Sequence, residues 1–228
     1  MRARLLTIAI ALLAGAIAVA GNWEAERRAM VESLRQRGIR DARVLSAMRQ
    51  VPRHLFVPEK EASRAYDEVE IEIGERQVIW RPYLVALTTE LGRVRPGDNV
   101  LEVGTGSGYH AAVLSLLCRQ VYTIEIIPSL ARSAQERLKR LRYDRVHVKQ
   151  GDGYQGWAEH APFDVIIVTC TADEVPIPLV DQLKEEGRMV IPVSDQGQQT
   201  LTLMEKREGK LRTVSVRKVK LSPMQREK

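Results

Sequence analysis

A strand that runs without a break into three alternate glycines and out again into a helix leaves few folds open. Residues 100–108 do this: Val100-Leu101-Glu102-Val103 has strand length, Gly104, Gly106 and Gly108 follow at every second position, and Tyr109 to Leu117 continues as an apolar helical stretch. Glycine lets backbone approach a ligand closely, and a helix N-terminus presents N–H groups that no helical carbonyl accepts. Such a turn also occurs as plain structure, so its surroundings decide. Downstream, Val121 to Ile124, Val146 to Val148 and Val165 to Val168 are further β-branched runs, each followed by a turn and a helical segment. This alternation predicts a mostly parallel sheet with helices on both faces. Met189 to Val193 predicts a fifth strand, and Thr200 to Lys206 with Leu211 to Leu221 a closing antiparallel hairpin about Glu208-Gly209.

Upstream the pattern is different. Trp23 to Arg37 carries sparse apolar residues among charges and predicts a surface helix; Asp41 caps a second helix through Met48, closed by Val51-Pro52. Arg53 to Arg76 is rich in proline and acids without a lasting period, which predicts a lid or access loop. Pro82 suits the first position of a helix ending near Leu91. The first twenty residues stand apart: two arginines, then Leu5 to Ala20 without a charge, ending in Ala18-Val19-Ala20. This predicts a secretory signal peptide and an exported domain. The alternative is a retained anchor touching the membrane through residues 5–20, with Arg27, Arg28, Arg35 and Arg37 holding the domain on the cytoplasmic side.

With 44% hydrophobic and 28% charged residues the chain is globular, and a formal charge of +6 is too mild to demand nucleic acid. Arg132, Arg137, Lys139, Arg140, Arg142 and Arg145 are read as a solvated helix face, since no aromatics interleave on that helix. Cys118 and Cys170 lie far apart with no clustered histidine, which excludes a disulfide framework and a zinc site. His54, His110, His147 and His160 are scattered and read as structural or exposed, and Cys170 as a small buried hydrophobe.

The glycine spacing narrows the ligand. Tyr109 stands where a dinucleotide fingerprint needs its third glycine, and the Gly-Lys-Ser/Thr of a triphosphate loop is missing. Glu125 ends the second strand of the core, where a carboxylate accepts ribose hydroxyls, and Asp152 ends the third within Gly151-Asp152-Gly153. With Glu102, that places three acids near one sheet edge beside a glycine turn. Acids suit a nucleoside bearing an ammonium and a sulfonium better than one bearing pyrophosphate, which points to S-adenosylmethionine.

Four segments then carry a resemblance. Val51-Pro52-Arg53-His54-Leu55-Phe56-Val57-Pro58, Leu101 to Tyr109, Gly151-Asp152-Gly153-Tyr154-Gln155-Gly156-Trp157 and Phe163 to Thr169, in this order, resemble protein-L-isoaspartate O-methyltransferases over about residues 27–221. The resemblance implies a Rossmann-like S-adenosylmethionine-dependent methyltransferase fold and, as acceptor, isoaspartyl residues of damaged proteins or peptides. It implies that Glu102 with Gly104, Thr105, Gly106 and Gly108 holds the methionine part of the donor, Glu125 the ribose, and Asp152 with Gly153 the adenine. Together with the composition of the N-terminus, this gives an expected division into a signal peptide or membrane anchor (1–20), N-terminal helices with an acceptor-side lid (21–96), and the S-adenosylmethionine-binding α/β core with its hairpin (97–228).

Two places depart from the family pattern. Where the family has Gln-Thr-Ile-Ser before a proline, this chain has Gln77-Val78-Ile79-Trp80-Arg81-Pro82, so both acceptor hydroxyls are missing. Lys220-Leu221-Ser222-Pro223 replaces a Phe-Val-Pro-like ending. Trp80 is large enough to fill the pocket a serine leaves open, and Arg81 is a candidate partner for the acceptor carboxylate. The chemistry expected is carboxyl methylation; a non-catalytic donor-binding protein and a methyltransferase with another acceptor are the alternatives.

Overall fold

A computed structural model describes residues 23–195, 198–219 and Met224. The addressing segment 1–20 and the segment 220–223 lie outside the described residues. No helix among the described residues is long and apolar enough to cross a membrane.

The first helix, α1 (residues 23–36), buries Met30, Val31 and Leu34, one stripe at helical spacing. Helix α2 (Ala42–Gln50) is capped as its sequence predicts, Asp41 accepting the N–H groups of Arg43 and Val44. The segment expected to be a lid loop is more ordered than that. Two 3-10 turns, Arg53–Phe56 and Glu59–Arg64, lead into an antiparallel pair, β1 (Ile71–Gly74) and β2 (Gln77–Ile79). Glu75 and Arg76 join them with φ of 54° and 57°, the left-handed backbone of a two-residue hairpin turn. Helix α3 (Pro82–Gly92) follows with proline in its first turn.

The core is a seven-stranded sheet in the order β5-β4-β3-β6-β7-β8-β9. Its strands are β3 (Asn99–Val103), β4 (Gln120–Glu125), β5 (Val146–Gln150), β6 (Phe163–Val168), β7 (Leu183–Asp195), β8 (Gln198–Arg207) and β9 (Lys210–Lys218). Pairings from β5 through β7 are parallel, and β7-β8 and β8-β9 are antiparallel. The predicted strands and closing hairpin are thus present. Helices α4 (Tyr109–Ser115), α5 (Pro128–Arg140) and α6 (Ile177–Gln182) make the crossovers. Alternation along β3 sends Val100 into a core with Leu84, Ala111 and Leu138, and Leu101 and Val103 into a second core with Leu179 and Ile166. Helices therefore cover both faces. Chain order reverses at β3, which has β4 on one side and β6 on the other. Ligands of open α/β sheets bind outside the carboxyl ends of strands at such a point.

Behind the sheet, Arg188 ties β7 to the turn before β3. Its guanidinium reaches Asp98 Oδ2 at 3.0 Å and the Arg93 carbonyl at 2.6 Å, and both charged side chains are about nine-tenths buried. Removing one partner strands the other's charge. Asp98→Ala is expected to cost about 3 kcal/mol of unfolding free energy in urea titrations; a loss below about 1 kcal/mol would mean that solvent already screens the pair.

Candidate active site

The glycine turn after β3 is built on the end of β4. The N–H groups of Gly104 and Thr105 donate to the Ile124 carbonyl, at 2.8 and 3.2 Å, and Gly106 N–H donates to Glu125 Oε2 at 2.8 Å. The other oxygen of Glu125 accepts Ile127 N–H at 3.0 Å. From β6, the Thr169 hydroxyl lies 3.0 Å from the Val103 carbonyl and 2.8 Å from that of Gly104. A side chain on Gly104, at φ +98°, would collide with that hydroxyl. Gly106, at φ +52°, has room only up to Ile73 of β1, 3.4 Å from where its Cβ would sit. The turn thus passes directly beneath the β1–β2 hairpin, whose tip is held by a 2.7 Å bond from Ser129 of α5 to Glu75. Arg137, expected on a solvated face, instead donates to the Ser107 carbonyl at 2.9 Å and is partly buried.

One cavity opens at the switch point. Of the residues expected to hold the donor, Gly104, Thr105, Gly106, Glu125 and Gly153 line it; of those expected on the acceptor side, Gln77, Val78 and Trp80 do. Donor-side and acceptor-side residues therefore share a single space. Gly153 fits there because a Cβ would strike Val103. Asp152 stands just outside the lining, capping the turn Gly153–Gln155 by accepting Tyr154 N–H at 2.9 Å. Gly108 precedes α4 at φ +85°, packed near Leu138 and likewise off the lining. Glu102 is fully buried behind the wall, where Thr123 donates to its Oε2 at 2.6 Å. Burial, reinforced by the charge of Glu125, pushes its carboxyl up to about 8.

The wall also contains residues that the sequence reading had placed elsewhere or passed over. Cys170, expected as a small buried hydrophobe, is only half-buried and lines the cavity with Thr169, both following β6 at the switch point, where the strand-edge rule applied to Glu125 would have found them. Burial and the charge of Glu125 raise the Cys170 thiol to about 12, so it is no nucleophile at neutral pH. His110 lines the cavity too, and its burial lowers the imidazole to about 3. Among the described residues no group of three His, Cys, Asp or Glu side chains is placed to hold a metal.

On the acceptor side, Trp80 is 8% exposed and its ring lies 6.4 Å from that of His110. Its carbonyl accepts from Arg53 at 2.7 Å, and the same guanidinium bonds the Ala65 carbonyl at 2.7 Å and stacks 4.7 Å over Tyr109. Arg53 thus fixes the backbone of the acceptor wall against the helix that starts at the glycine turn. Arg81 is off the lining; it stands at the N-cap of α3, half-buried, with Nε shielded from solvent and without a hydrogen-bond partner among the described residues.

Among the described residues the cavity thus combines an acid, a glycine turn and an apolar wall, with burial favouring the neutral forms of His110 and Cys170. Known proteins agree with it. The chain is 48% identical over 232 residues to a protein-L-isoaspartate O-methyltransferase of Opitutus terrae, covering the whole of both chains. It is 57% identical over 180 residues to protein-L-isoaspartate O-methyltransferase 1 of Cupriavidus necator, covering 78% of this chain and 69% of the relative. Among solved structures, one from Plasmodium falciparum, described as a protein-L-isoaspartate O-methyltransferase in complex with S-adenosyl-L-homocysteine, superposes with a TM-score of 0.78 at 26% identity, over 88% of this chain and 99% of that one. The sequence model of the family described as protein-L-isoaspartate(D-aspartate) O-methyltransferase matches residues 25–228, and the chain belongs to that family.

Proposed function

We propose that this chain transfers the methyl group of S-adenosylmethionine to the free carboxylate of isoaspartyl residues in proteins. The observation that carries this reading is the shared cavity: Glu125 and the glycine turn form one wall, and Gln77 to Trp80 the other. Glu125 receives one backbone N–H on each oxygen and keeps lone pairs for the two ribose hydroxyls. Gly104, Thr105 and Gly106 take the methionine part and Gly153 the edge of the adenine. Asp152 supports that edge by fixing the turn. When bound, S-adenosylmethionine supplies a methyl group on a cationic sulfur.

The acceptor is a carboxylate, ionised at pH 7 with an ordinary pKa of about 4, so the enzyme needs no general base. Its task is alignment and exclusion of water. Trp80 and Val78 form a dry wall against which the acceptor packs. The unpartnered Nε of Arg81, beside that wall, replaces the family's two hydroxyls with a charged donor once the side chain turns toward the cavity. Residues 1–20 direct the domain out of the cytoplasm.

Four outcomes test this. On the purified domain, Gly106→Val is expected to weaken S-adenosylhomocysteine binding at least about a hundredfold by calorimetry, because a branched side chain at positive φ fills the gap under the hairpin. With labelled donor, the parent is expected to methylate an isoaspartyl peptide and leave its aspartyl isomer unlabelled; donor binding without any labelling would support a binding protein or another acceptor. Val78→Thr returns one hydroxyl at about 1.5 kcal/mol and is expected to raise kcat/KM for that peptide about tenfold, while Arg81→Ala lowers it. N-terminal sequencing of the mature protein is expected to begin at or near Gly21, and an intact Met1 would favour the anchored form.

A further inference from the structure

His110, the second residue of α4, is held by Thr89 of α3 on one side and faces Glu102 of β3 on the other. Thr89 Oγ1 lies 2.8 Å from the Val85 carbonyl and gives its one proton there, so at 2.9 Å from His110 Nε2 it accepts. Nε2 therefore carries the ring hydrogen. Nδ1 then points a lone pair at Glu102 Oε1, 3.5 Å away, and neither atom has a hydrogen-bond partner among the described residues although both are buried. With Glu102 ionised and His110 neutral, two lone pairs oppose each other out of water. One added proton turns that repulsion into a hydrogen bond. Among the described residues, the groups packed around Glu102 supply no cation to stabilise its charge: β4 brings the acid Glu125 and the hydroxyl of Thr123, β6 brings Ile167 as register partner, and α3 reaches the pair through Thr89. Burial accordingly favours neutral forms of both Glu102 and His110.

The pair stands one side chain behind the cavity. His110 is itself part of the wall, and Glu102 reaches the wall residue Thr105 through Thr123, the two hydroxyls being 2.7 Å apart. We propose that Glu102 and His110 share one proton and make the site prefer the sulfonium donor to its thioether product, donor binding expelling that proton to solvent and product binding leaving it in place. This rests on the donor reading given above. A cation in a dry cavity favours the ionised carboxylate behind it. Once the methyl group has left, the sulfur is neutral and the proton returns, so the cycle takes up and releases one proton with no net change. The site then holds the spent product less firmly than the donor. The sulfonium also makes the donor's own α-ammonium more acidic than the product's, so the share of the difference that belongs to the pair is the share that Glu102→Gln removes.

The sign of the pH dependence follows. Burial pushes the Glu102 carboxyl up to about 8, so near neutral pH the proposed pair holds its proton, and binding the donor requires losing it. Affinity for the donor relative to the product should therefore rise with pH, by up to about tenfold per unit between pH 6 and 8, and level off above. The test is calorimetry of the full chain with S-adenosylmethionine and with S-adenosylhomocysteine, each at pH 7 in two buffers of different ionisation heat. The donor is expected to release about one half to one proton more than the product, and Glu102→Gln, which has no proton to release, is expected to remove the pair's share of that difference and flatten the affinity ratio against pH. Equal proton release by the two ligands in the parent chain overturns the proposal whatever the variant does, as does a folded Glu102→Gln chain that keeps the difference. If neither compound binds at all, the donor reading falls and this inference falls with it.

Discussion

Gly106 gives its N–H to the carboxylate of Glu125, and through that bond the turn after β3 is clamped to the end of β4. The Ile124 carbonyl holds the two preceding N–H groups in the same way. The turn cannot relax without breaking contacts to β4, a strand paired on both sides within the sheet. The acid that lines the cavity is thus also the acid that shapes the glycine turn. An alanine at position 125 would take the carboxylate from both, and the half-buried N–H of Gly106 would lose its partner.

Arg53 performs the matching task on the opposite wall. It is fully buried, its Nε and Nη2 bond backbone carbonyls and not a carboxylate, and its plane covers Tyr109. Desolvation lowers its pKa, and the charges of the Tyr109 and Glu68 groups oppose that. Such a residue is costly to bury. What it supplies is geometry, since a rigid planar fork can reach the carbonyls of Ala65 and Trp80 at once. Because Tyr109 begins the helix after the glycine turn, the acceptor wall and the donor turn are braced by one side chain.

The core was legible because β-branched runs broken by turns admit few arrangements, and the strand-edge rule led from there to Glu125, on the lining, and to Asp152, just outside it; Gly153, which does line the cavity, followed from the resemblance. The β1–β2 hairpin was missed although Val69-Glu70-Ile71-Glu72-Ile73 alternates with period two. Its strands are short, and its turn is Glu75-Arg76, with no Asn-Gly to announce left-handed backbone. Period two also predicts that Glu102 shares a face with Val100, hence that it lies under the helices. It cannot tell which side chain of those helices meets the carboxyl, because that depends on how α4 seats on β3. His110 therefore looked like a scattered histidine until the packing placed it against Glu102.

A reaction between an anion and a cationic donor sets an unusual requirement on such a cavity. Both reactants are charged in water, and the charge disappears as the methyl group moves, so a dry wall that solvates charge poorly favours the transition state over the separated ions. Trp80, Val78 and the uncharged thiol of Cys170 provide that kind of lining. The cost is weaker binding of the charged ground state, and a site with no compensating charge would stay empty. In the reading proposed above, Glu125 on the lining and Arg81 at the N-cap of α3 offer that compensation, one for each reactant. On this physical ground an apolar wall formed by Val78 and Trp80 is compatible with carboxyl methylation: a wall with a charge at its rim can bind a carboxylate while leaving its attacking oxygen unsolvated.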